Sequence, residues 1–225
     1  TVAVTLAADG QPTYRIAENV AWDYIGDGPA EFDWESLGIH TAAVCFGTLA
    51  QRHPHGSSRS TIRNFVGPGS VPHALHVFDV NLRPTGPPPS AVDWGVEHAD
   101  WVKLNVDELR AVTEAQDMWT GDPDFTALNL FRSTQTVVVT RGGDGCTLVK
   151  DCGCERLPPV PATVVDTVGA GDAFTAAMVC LHLEGRPLKE CARFAAHYAA
   201  RVCEHRGATP RVDRAEVERA AFGRP

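Results

Sequence analysis

Residues 166–178, DTVGAGDAFTAAM, place two glycines and a carboxylate where a loop passes into an apolar helix. The first N–H groups of a helix lack partners within it and carry the positive end of its dipole, so such a start favours an anion. Gly169 and Gly171 allow the backbone to approach a ligand closely. Asp172 has two interpretations: a first-turn aspartate that complements the dipole, or a base that accepts the proton of an attacking hydroxyl.

The composition limits the kind of protein. The chain has 225 residues and is 44% hydrophobic, which suits one large domain or one domain with an appendage. With 20 Lys+Arg against 28 Asp+Glu the formal charge is -8, which offers no basic footprint to nucleic acid or an anionic membrane. No apolar run approaches the roughly 18 residues of a membrane span. Seven cysteines, several of them in apolar segments, favour reduced thiols and a cytoplasmic location.

The hydrophobic pattern predicts a hairpin followed by a parallel sheet. Residues 1–17 alternate around a turn at residues 9–10, and this hairpin needs further strands or a partner subunit to be stable. Short apolar runs then alternate with longer crossovers and predict a parallel sheet covered by helices. These runs are residues 41–47, 76–82, 101–104 and 136–140. After a second hairpin over residues 136–150, we expect helical sequence through Leu183, with a stop and restart at residues 185–187.

Three cationic residues stand at or near predicted carboxyl ends of strands, where open parallel sheets bind their ligands. They are Arg83, Lys103 and Arg141. Each alone is typical of a solvated surface. Their repeated placement beside the turn of residues 169–172 predicts a polyphosphate site, with local positive charge in an acidic protein.

Two motifs each allow a structural and a functional interpretation. In residues 105–108, NVDE, Asn105 can cap a helix while Glu108 returns the hydrogen bond. The same amide and carboxylate, at the end of a strand, are suited to organise hydrated Mg²⁺ near phosphates. Residues 140–145, TRGGDG, predict either a glycine-rich hairpin turn or a loop whose backbone lies against a nucleotide.

Four segments together resemble one known family. Residues 79–84, DVNLRP, and 103–108, KLNVDE, precede residues 140–145 and 166–172 in the order and spacing of the ribokinase-like, or PfkB-type, carbohydrate kinases. The resemblance covers nearly the whole chain, and Gly-Ala-Gly-Asp after Asp-Thr is a highly specific signature of that family. Residues 47–52, GTLAQR, look more like its bacterial fructokinase branch.

The resemblance implies a three-layer α/β/α fold with a mainly parallel sheet and a small β-sheet lid that is incomplete in this chain. Residues 1–25 would form part of the lid, and residues 26–225 would form the nucleotide-binding α/β domain. The family's first strand, its sugar-binding aspartate and its other lid strands would precede Thr1, so we expect a further N-terminal portion. The lid often forms the dimer contact in relatives, which implies a homodimer.

The resemblance also implies an activity, that of an ATP-dependent kinase acting on fructose or a related ketose or sugar acid. Asp172 would be the base that receives the proton of the sugar hydroxyl. Arg83 would lie near the transferred phosphate or the sugar. The charge that develops on the γ-phosphoryl group would be held by the backbone N–H groups of Gly169, Ala170 and Gly171.

The remaining site residues implied by the resemblance concern the nucleotide and the cations. Asn105 and Glu108 would act on Mg²⁺ through water, and Asp166 would lie beside a monovalent cation such as K⁺. His197 stands where relatives often have an asparagine near the adenine, which puts that base contact in question. The nucleotide contacts would come from Lys103, Asn105, Thr140, Gly142, Gly145, Gly171 and His197.

Other functions fit the same sequence. A ribokinase, a 2-keto-3-deoxygluconate kinase or a nucleoside kinase would share these motifs. A non-catalytic regulatory homologue that binds sugar or nucleotide would also share them. A dinucleotide-binding oxidoreductase fits poorly, because Phe174 occupies the third glycine position of its fingerprint and no second strand with a terminal acid follows.

Overall fold

The computed structural model describes residues 2–6, 12–26, 40–53, 55–67, 71–83, 89–131, 135–151 and 153–223. The chain divides into two units, which are described separately. The first comprises Thr1–His76 and Asn81–His98, and the second comprises Val77–Val80 and Ala99–Pro225. The predicted turn at residues 9–10 and Cys152 lie outside the described residues. The boundary predicted between residues 25 and 26 stays a prediction.

The first unit contains the predicted N-terminal hairpin strands. β1 (Val2–Leu6) pairs antiparallel with β2 (Pro12–Ile16), with Val2 opposite Ile16, and the two form a sheet of their own. This confirms the strand pairing that the alternating pattern predicts. The unit continues with β3 (Ala43–Gly47), α1 (Ser58–Val66) and α2 (Pro89–His98). On α2, Trp94 stacks on His98 with ring centroids 4.3 Å apart.

Five further strands join β3 in one sheet: β4 (Leu75–Asp79), β5 (Trp101–Asn105), β6 (Thr136–Thr140), β7 (Cys146–Lys150) and β8 (Gly153–Leu157). These six strands lie in the sheet in chain order. Pairing is parallel from β4 to β5 and from β5 to β6, then antiparallel from β6 to β7 and from β7 to β8. Both the predicted parallel sheet and the predicted hairpin over residues 136–150 are thereby confirmed.

The sequence predicts helix after residue 150, and this prediction is wrong because the next helix begins only at Ala170. Residues 153–157 instead form β8, whose first four residues are exposed, and the proline-rich residues 158–161 that follow are irregular. Proline lacks the N–H that a strand or helix interior needs, which explains why regular structure stops at residue 158. The polar pattern of β8 gave no sign of a core strand.

In the described part of the second unit, five α-helices follow or separate the strands: α3 (Val106–Glu114), α4 (Pro123–Leu130), α5 (Ala170–Leu183), α6 (Leu188–Cys203) and α7 (Arg214–Phe222). α5 packs on α6, and the buried side chains of α5 include Phe174, Met178 and Leu181. The break between them was predicted: Gly185 has φ +81°, and α6 starts directly after Pro187.

Two further sequence expectations concern cysteines and membranes. Cys146 and Cys191 are buried free thiols, and burial raises the pKa of each to about 11, so both stay protonated as small core residues. Within the described residues, no helix combines the length and the apolar character needed to cross a membrane.

His182 on α5 gives the fold a dependence on pH. Its ring packs against Trp101 with centroids 4.7 Å apart, and its buried Nδ1 has no hydrogen-bond partner within the described part of the chain. Burial, together with the charge of Lys150, lowers the pKa of His182 below its usual 6.5. The unfolded chain therefore takes up a proton at a pH where the folded chain resists it, and stability falls as the pH falls through that range.

We predict that His182→Gln makes the stability less sensitive to acid. The urea midpoint of the wild type should drop more than that of the variant between about pH 7.5 and about pH 5.5, because the variant lacks this titration. His73→Gln, at an exposed position, is the matched control and should behave as the wild type does. Equal acid sensitivity of the wild type and His182→Gln would contradict the assignment.

Candidate active site

The start of α5 is built around Gly169. This residue is the N-cap, its φ is +79°, and no side chain caps the helix. A Cβ added here would lie 2.5 Å from the carbonyl oxygen of Ala208 and 2.7 Å from its Cα, so both the dihedral angle and the available space require glycine. The sequence predicts that the backbone at Gly169 approaches a ligand closely. In the structure this backbone closely approaches Ala208 of the same chain.

The first turn of α5 carries Asp172 on an exposed surface. The N–H of Ala170 points to the carbonyl of Thr167 at 3.3 Å, and the N–H of Ala173 begins the helical pattern by donating to Gly169 at 2.8 Å. The described part of the chain places no capping side chain on the N–H groups between them, those of Gly171 and Asp172. An anion placed here would meet backbone N–H groups and the positive end of the dipole.

Lys103 lies directly against this turn. In the parallel pairing of β4 and β5, Asp79 is opposite Lys103, and Lys103 Nζ donates to both carboxylate oxygens of Asp79 at 3.1 and 3.0 Å. A Cβ added at Gly171 would lie only 3.0 Å from the same Nζ. The two side chains are 12% and 14% exposed, so the pair is largely shielded from water.

Thr175, one turn further along α5, completes the contact. Its Oγ1 is 3.0 Å from Asp79 Oδ2 and 3.1 Å from the carbonyl oxygen of Gly171, and it shares its hydroxyl proton between them. Asp79 therefore binds both a neighbouring strand and a helix. Neither Asp79 nor Thr175 was predicted as a site residue. The signal that could have found Asp79 is its place as a carboxylate at the end of an apolar strand, where open parallel sheets bind their ligands.

Asp166 holds the loop before α5 in place. One carboxylate oxygen accepts the N–H of Val168 at 3.0 Å, and the other accepts the N–H of Gly207 at 2.9 Å. The bond from Gly207, with that from Val168, holds the pKa of Asp166 below its ordinary value. The structure thus gives Asp166 a bracing role, and its predicted place beside a monovalent cation stays a prediction.

Asn105 and Glu108 form the predicted capping box at the start of α3. Asn105 Oδ1 accepts the N–H of Glu108 at 2.8 Å, and Glu108 Oε2 accepts the N–H of Asn105 at 2.9 Å. The structural interpretation is confirmed. Among the described residues, no group of three or more His, Cys, Asp or Glu side chains could hold a metal ion. The oxygen-donor set of Asn105 and Glu108 fits a hydrated Mg²⁺ held mainly by water and phosphate.

The loop of residues 140–145 forms a tight turn at the same end of the sheet. Thr140 is opposite Asn105 in the pairing of β5 and β6. Gly142 and Gly145 have φ +55° and +89°, and a Cβ at Gly145 would lie 2.3 Å from the carbonyl oxygen of Leu157. The turn borders a cavity of about 430 Å³, lined by Val106, Arg141, Asp144, Cys146, Arg156 and Leu157.

Arg141 differs from the sequence expectation of a cation available to phosphate. Its guanidinium forms an ion pair with Asp124 and also donates through Nε to Thr147 Oγ1 at 3.2 Å. The positive charge is therefore offset by a carboxylate of α4, a partner for which no neighbouring residue provides a signal.

His197 and Arg83 are the remaining predicted residues. His197 lines a cavity of about 220 Å³ beside Pro159, Pro161 and Arg193, and burial, with the charges of Arg201 and Arg193, lowers its pKa. A neutral ring suits contact with an uncharged base. Arg83 belongs to the first unit, where its buried Nε has no hydrogen-bond partner within the described residues. Its role near the transferred phosphate stays a prediction.

A mainly parallel sheet with a glycine-flanked, uncapped helix start at the carboxyl ends of its strands defines an α/β protein, and helix starts of this kind favour anions. The particular family is given by the sequence. The model of the pfkB family carbohydrate kinases matches residues 71–214, and the chain belongs to this family.

Individual relatives agree with this assignment. An uncharacterised sugar kinase of Pyrococcus horikoshii is 37% identical over 215 residues, which cover 90% of this chain and 63% of the relative. Its crystal structure in complex with ATP superposes with a TM-score of 0.74 and 26% identity, covering 97% of this chain and 68% of that one. Fructokinase-2 of Zea mays is 29% identical over 182 residues, or 78% of this chain and 52% of the relative. The chain spans less than two thirds of the length of these curated relatives.

The fold comparison confirms the predicted ribokinase-like α/β class. Ribokinase of Thermotoga maritima superposes with a TM-score of 0.72 at 19% identity, covering 99% of this chain and 69% of that chain. At this identity the likeness concerns the fold alone.

We predict that Gly169→Ala is more destabilising than Gly185→Ala. Both glycines have a left-handed φ, near +80°, but a Cβ at Gly185 meets nothing within 4 Å, whereas one at Gly169 meets Ala208. Gly185→Ala should cost about 1 kcal/mol of unfolding free energy from backbone strain alone. Gly169→Ala should cost about 2–4 kcal/mol, because the overlap with Ala208 adds to that strain. Urea unfolding measures both, and equal losses would show that the approach to Ala208 is unimportant.

Proposed function

We propose that this protein is an ATP-dependent sugar kinase, which transfers the γ-phosphoryl group of ATP to a hydroxyl of fructose or of a related ketose or sugar acid. The observation that carries the proposal is the uncapped first turn of α5, with Asp172 exposed beside Gly171, in a member of a carbohydrate kinase family. Phosphoryl transfer needs mainly positioning and electrostatic stabilisation, and a fixed helix start supplies both.

In the proposed reaction Asp172 accepts the proton of the sugar hydroxyl as its oxygen attacks the γ-phosphorus. The new O–P bond forms while the bond to the bridging oxygen of ADP breaks, and ADP leaves with that electron pair. The N–H groups of Gly169, Ala170 and Gly171 are proposed to stabilise the charge on the phosphoryl oxygens, and Ala170 would then give up its 3.3 Å bond to the carbonyl of Thr167. Arg83 is proposed to contact the phosphate or the sugar.

The proposed nucleotide contacts all come from residues of the second unit. Thr140, Gly142 and Gly145 would lie against the nucleotide, His197 would lie near the adenine, and Lys103 and Asn105 would face the phosphates. Mg²⁺ would neutralise phosphate charge, held through water by Asn105 and Glu108. A monovalent cation beside Asp166 is part of the same proposal. The ATP complex of the Pyrococcus horikoshii relative supports the choice of nucleotide.

The choice of a ketose rests on the fructokinase-like residues 47–52 and on the similarity to maize fructokinase-2. A related kinase for ribose, 2-keto-3-deoxygluconate or a nucleoside would use the same transfer site with a different acceptor. We further propose that residues 1–25 form part of a lid and that residues 26–225 form the nucleotide domain. The lid would form the contact of a homodimer. The proposed location is the cytoplasm. A regulatory homologue without catalysis is the second candidate, and it would bind ATP without turnover.

We predict that Asp172→Asn lowers kcat by roughly two to four orders of magnitude and leaves the affinity for ATP nearly unchanged, since it removes only the proton acceptor. Steady-state kinetics with ATP, Mg²⁺ and the sugar give kcat, and equilibrium titration gives the nucleotide affinity.

Glu216→Gln is the matched control for this experiment. Glu216 is also an exposed carboxylate in the first turn of a helix, α7, so its loss tests the general effect of removing such a charge. We expect near wild-type turnover from it. If Asp172→Asn also keeps most of its activity, Asp172 is a dipole-complementing residue and not the base.

A panel of acceptors tests the substrate. Fructose should be turned over with the highest kcat/KM, above ribose, 2-keto-3-deoxygluconate and adenosine, in a coupled assay for ADP. A preference for another acceptor would contradict the choice of fructose and would assign the protein to the branch of the family that uses that acceptor. ATP binding with no turnover of any acceptor, measured on the full-length protein, would favour the regulatory homologue.

A further inference from the structure

Asp124, in the first turn of α4, collects three donors from three other parts of the second unit. Its Oδ1 accepts from Arg141 and, at 2.8 Å, from Thr147 Oγ1, while its Oδ2 accepts from Arg156 Nε. The carboxylate is 15% exposed and Thr147 is fully buried. A single side chain of α4 therefore holds the end of β6, the strand β7 and the strand β8.

The charge on Asp124 is well supported. Burial alone would raise its pKa, but the hydrogen bonds from Thr147 and Arg156 and the charge of Arg141 hold the pKa below its ordinary value. Asp124 also lies in the first turn of α4, where the positive end of the helix dipole stabilises a negative charge. Asp124 is thus ionised at neutral pH, and the bonds it accepts are charge-assisted and strong.

Arg141 links the carboxylate of Asp124 to the backbone of the turn of residues 140–145. Its N–H donates to the carbonyl of Gly145 at 2.9 Å, and its own carbonyl accepts the N–H of Asp144 at 3.0 Å. The start and the end of the turn are therefore tied together by Arg141, one of the two arginines whose guanidinium groups bind Asp124. At the tip, the N–H of Gly145 donates to the carbonyl of Gly142 over a long 3.4 Å, and a Cβ at Gly142 or Gly143 would meet nothing within 4 Å, so the tip itself is loosely held.

The two arginines on Asp124 are not equivalent. The side chain of Arg141 is 16% exposed, whereas that of Arg156 is 63% exposed. An exposed ion pair contributes little to stability, whereas a shielded pair with a second hydrogen bond to Thr147 fixes geometry. Arg156 therefore provides a control in which the same carboxylate loses its exposed partner and keeps the shielded one.

We propose that Asp124 is a positioning residue for nucleotide binding, which acts through Arg141 to fix the turn that carries Thr140, Gly142 and Gly145. The ligand class is a nucleoside triphosphate, and this inference rests on the function proposed above. Asp124 touches neither substrate in this role. It stabilises one conformation of the turn before the nucleotide arrives, so its loss raises the cost of binding the nucleotide and leaves the sugar site unchanged.

The test uses Asp124→Asn, which keeps the shape of the side chain and removes its charge, with Arg156→Gln as the control. In the full-length protein, Asp124→Asn should raise the Kd and KM for ATP about tenfold, with kcat and the KM for the sugar within about twofold of the wild type. Arg156→Gln should leave all four values near those of the wild type.

A second measurement does not depend on turnover. Trypsin cleaves after arginine, and the bond from Arg141 to Gly142 is protected in the wild type while the guanidinium is held by Asp124. Limited proteolysis followed by mass spectrometry should show cleavage at this bond about tenfold faster in Asp124→Asn than in Arg156→Gln, because local opening of the turn becomes easier.

The outcomes separate this inference from the proposed function. Unchanged ATP affinity and unchanged cleavage in Asp124→Asn would overturn the positioning role, whatever the activity of the wild type. An equal rise in the KM values for ATP and sugar would also overturn it, because that pattern indicates a general structural loss. A wild type that binds ATP but phosphorylates no sugar would contradict only the kinase proposal, and the ATP affinity and the proteolysis would still test Asp124.

Discussion

The ion pair between Asp79 and Lys103 is the contact on which the candidate site depends. Parallel pairing of β4 with β5 sets the two residues opposite each other, and Thr175 joins α5 to the same carboxylate. Lys103 Nζ is fixed by two hydrogen bonds to Asp79, and a Cβ at position 171 would lie 3.0 Å from that nitrogen, so a larger residue there would have to shift the lysine. The start of α5 is thus positioned against the ends of two strands, and Asp172, its next residue, takes its place from this contact.

The helix starts of the second unit differ in a way that follows from their caps. Asn105, Asp122 and Asp213 each cap a helix through a side-chain oxygen and so satisfy N–H groups that would otherwise lack partners. α5 instead begins at Gly169, which has no side chain to offer, and α6 begins after Pro187. Of these five starts, α5 is the one that combines a glycine-flanked, uncapped turn with an ion pair beneath it. An exogenous anion is the natural partner of such N–H groups.

What could be predicted from the sequence was mostly local. The capping box of Asn105 and Glu108 and the break at Gly185 depend on residues within a few positions of one another, and both were found. The partner of Arg141 was not found, because Asp124 is 17 residues away from it in the chain. The neighbour of Gly169 was not found either, because Ala208 lies in the turn after α6 and contacts Gly169 only through packing. Register across strands, as for Asp79 and Lys103, is likewise invisible to a pattern read along one strand.

These long-range pairs also change the electrostatic account of the site. The sequence suggested that lysine and arginine side chains hold the phosphates in an acidic protein, yet Lys103 and Arg141 are each paired with a carboxylate. A paired cation contributes only a small net charge at a distance, so the attraction for an anion near α5 comes mainly from backbone N–H groups and the helix dipole. Such dipoles are fixed before the ligand binds and need no reorganisation during a reaction. A site of this kind can keep a carboxylate such as Asp172 in the same turn, because acidic side chains are favourable in the first turn of a helix.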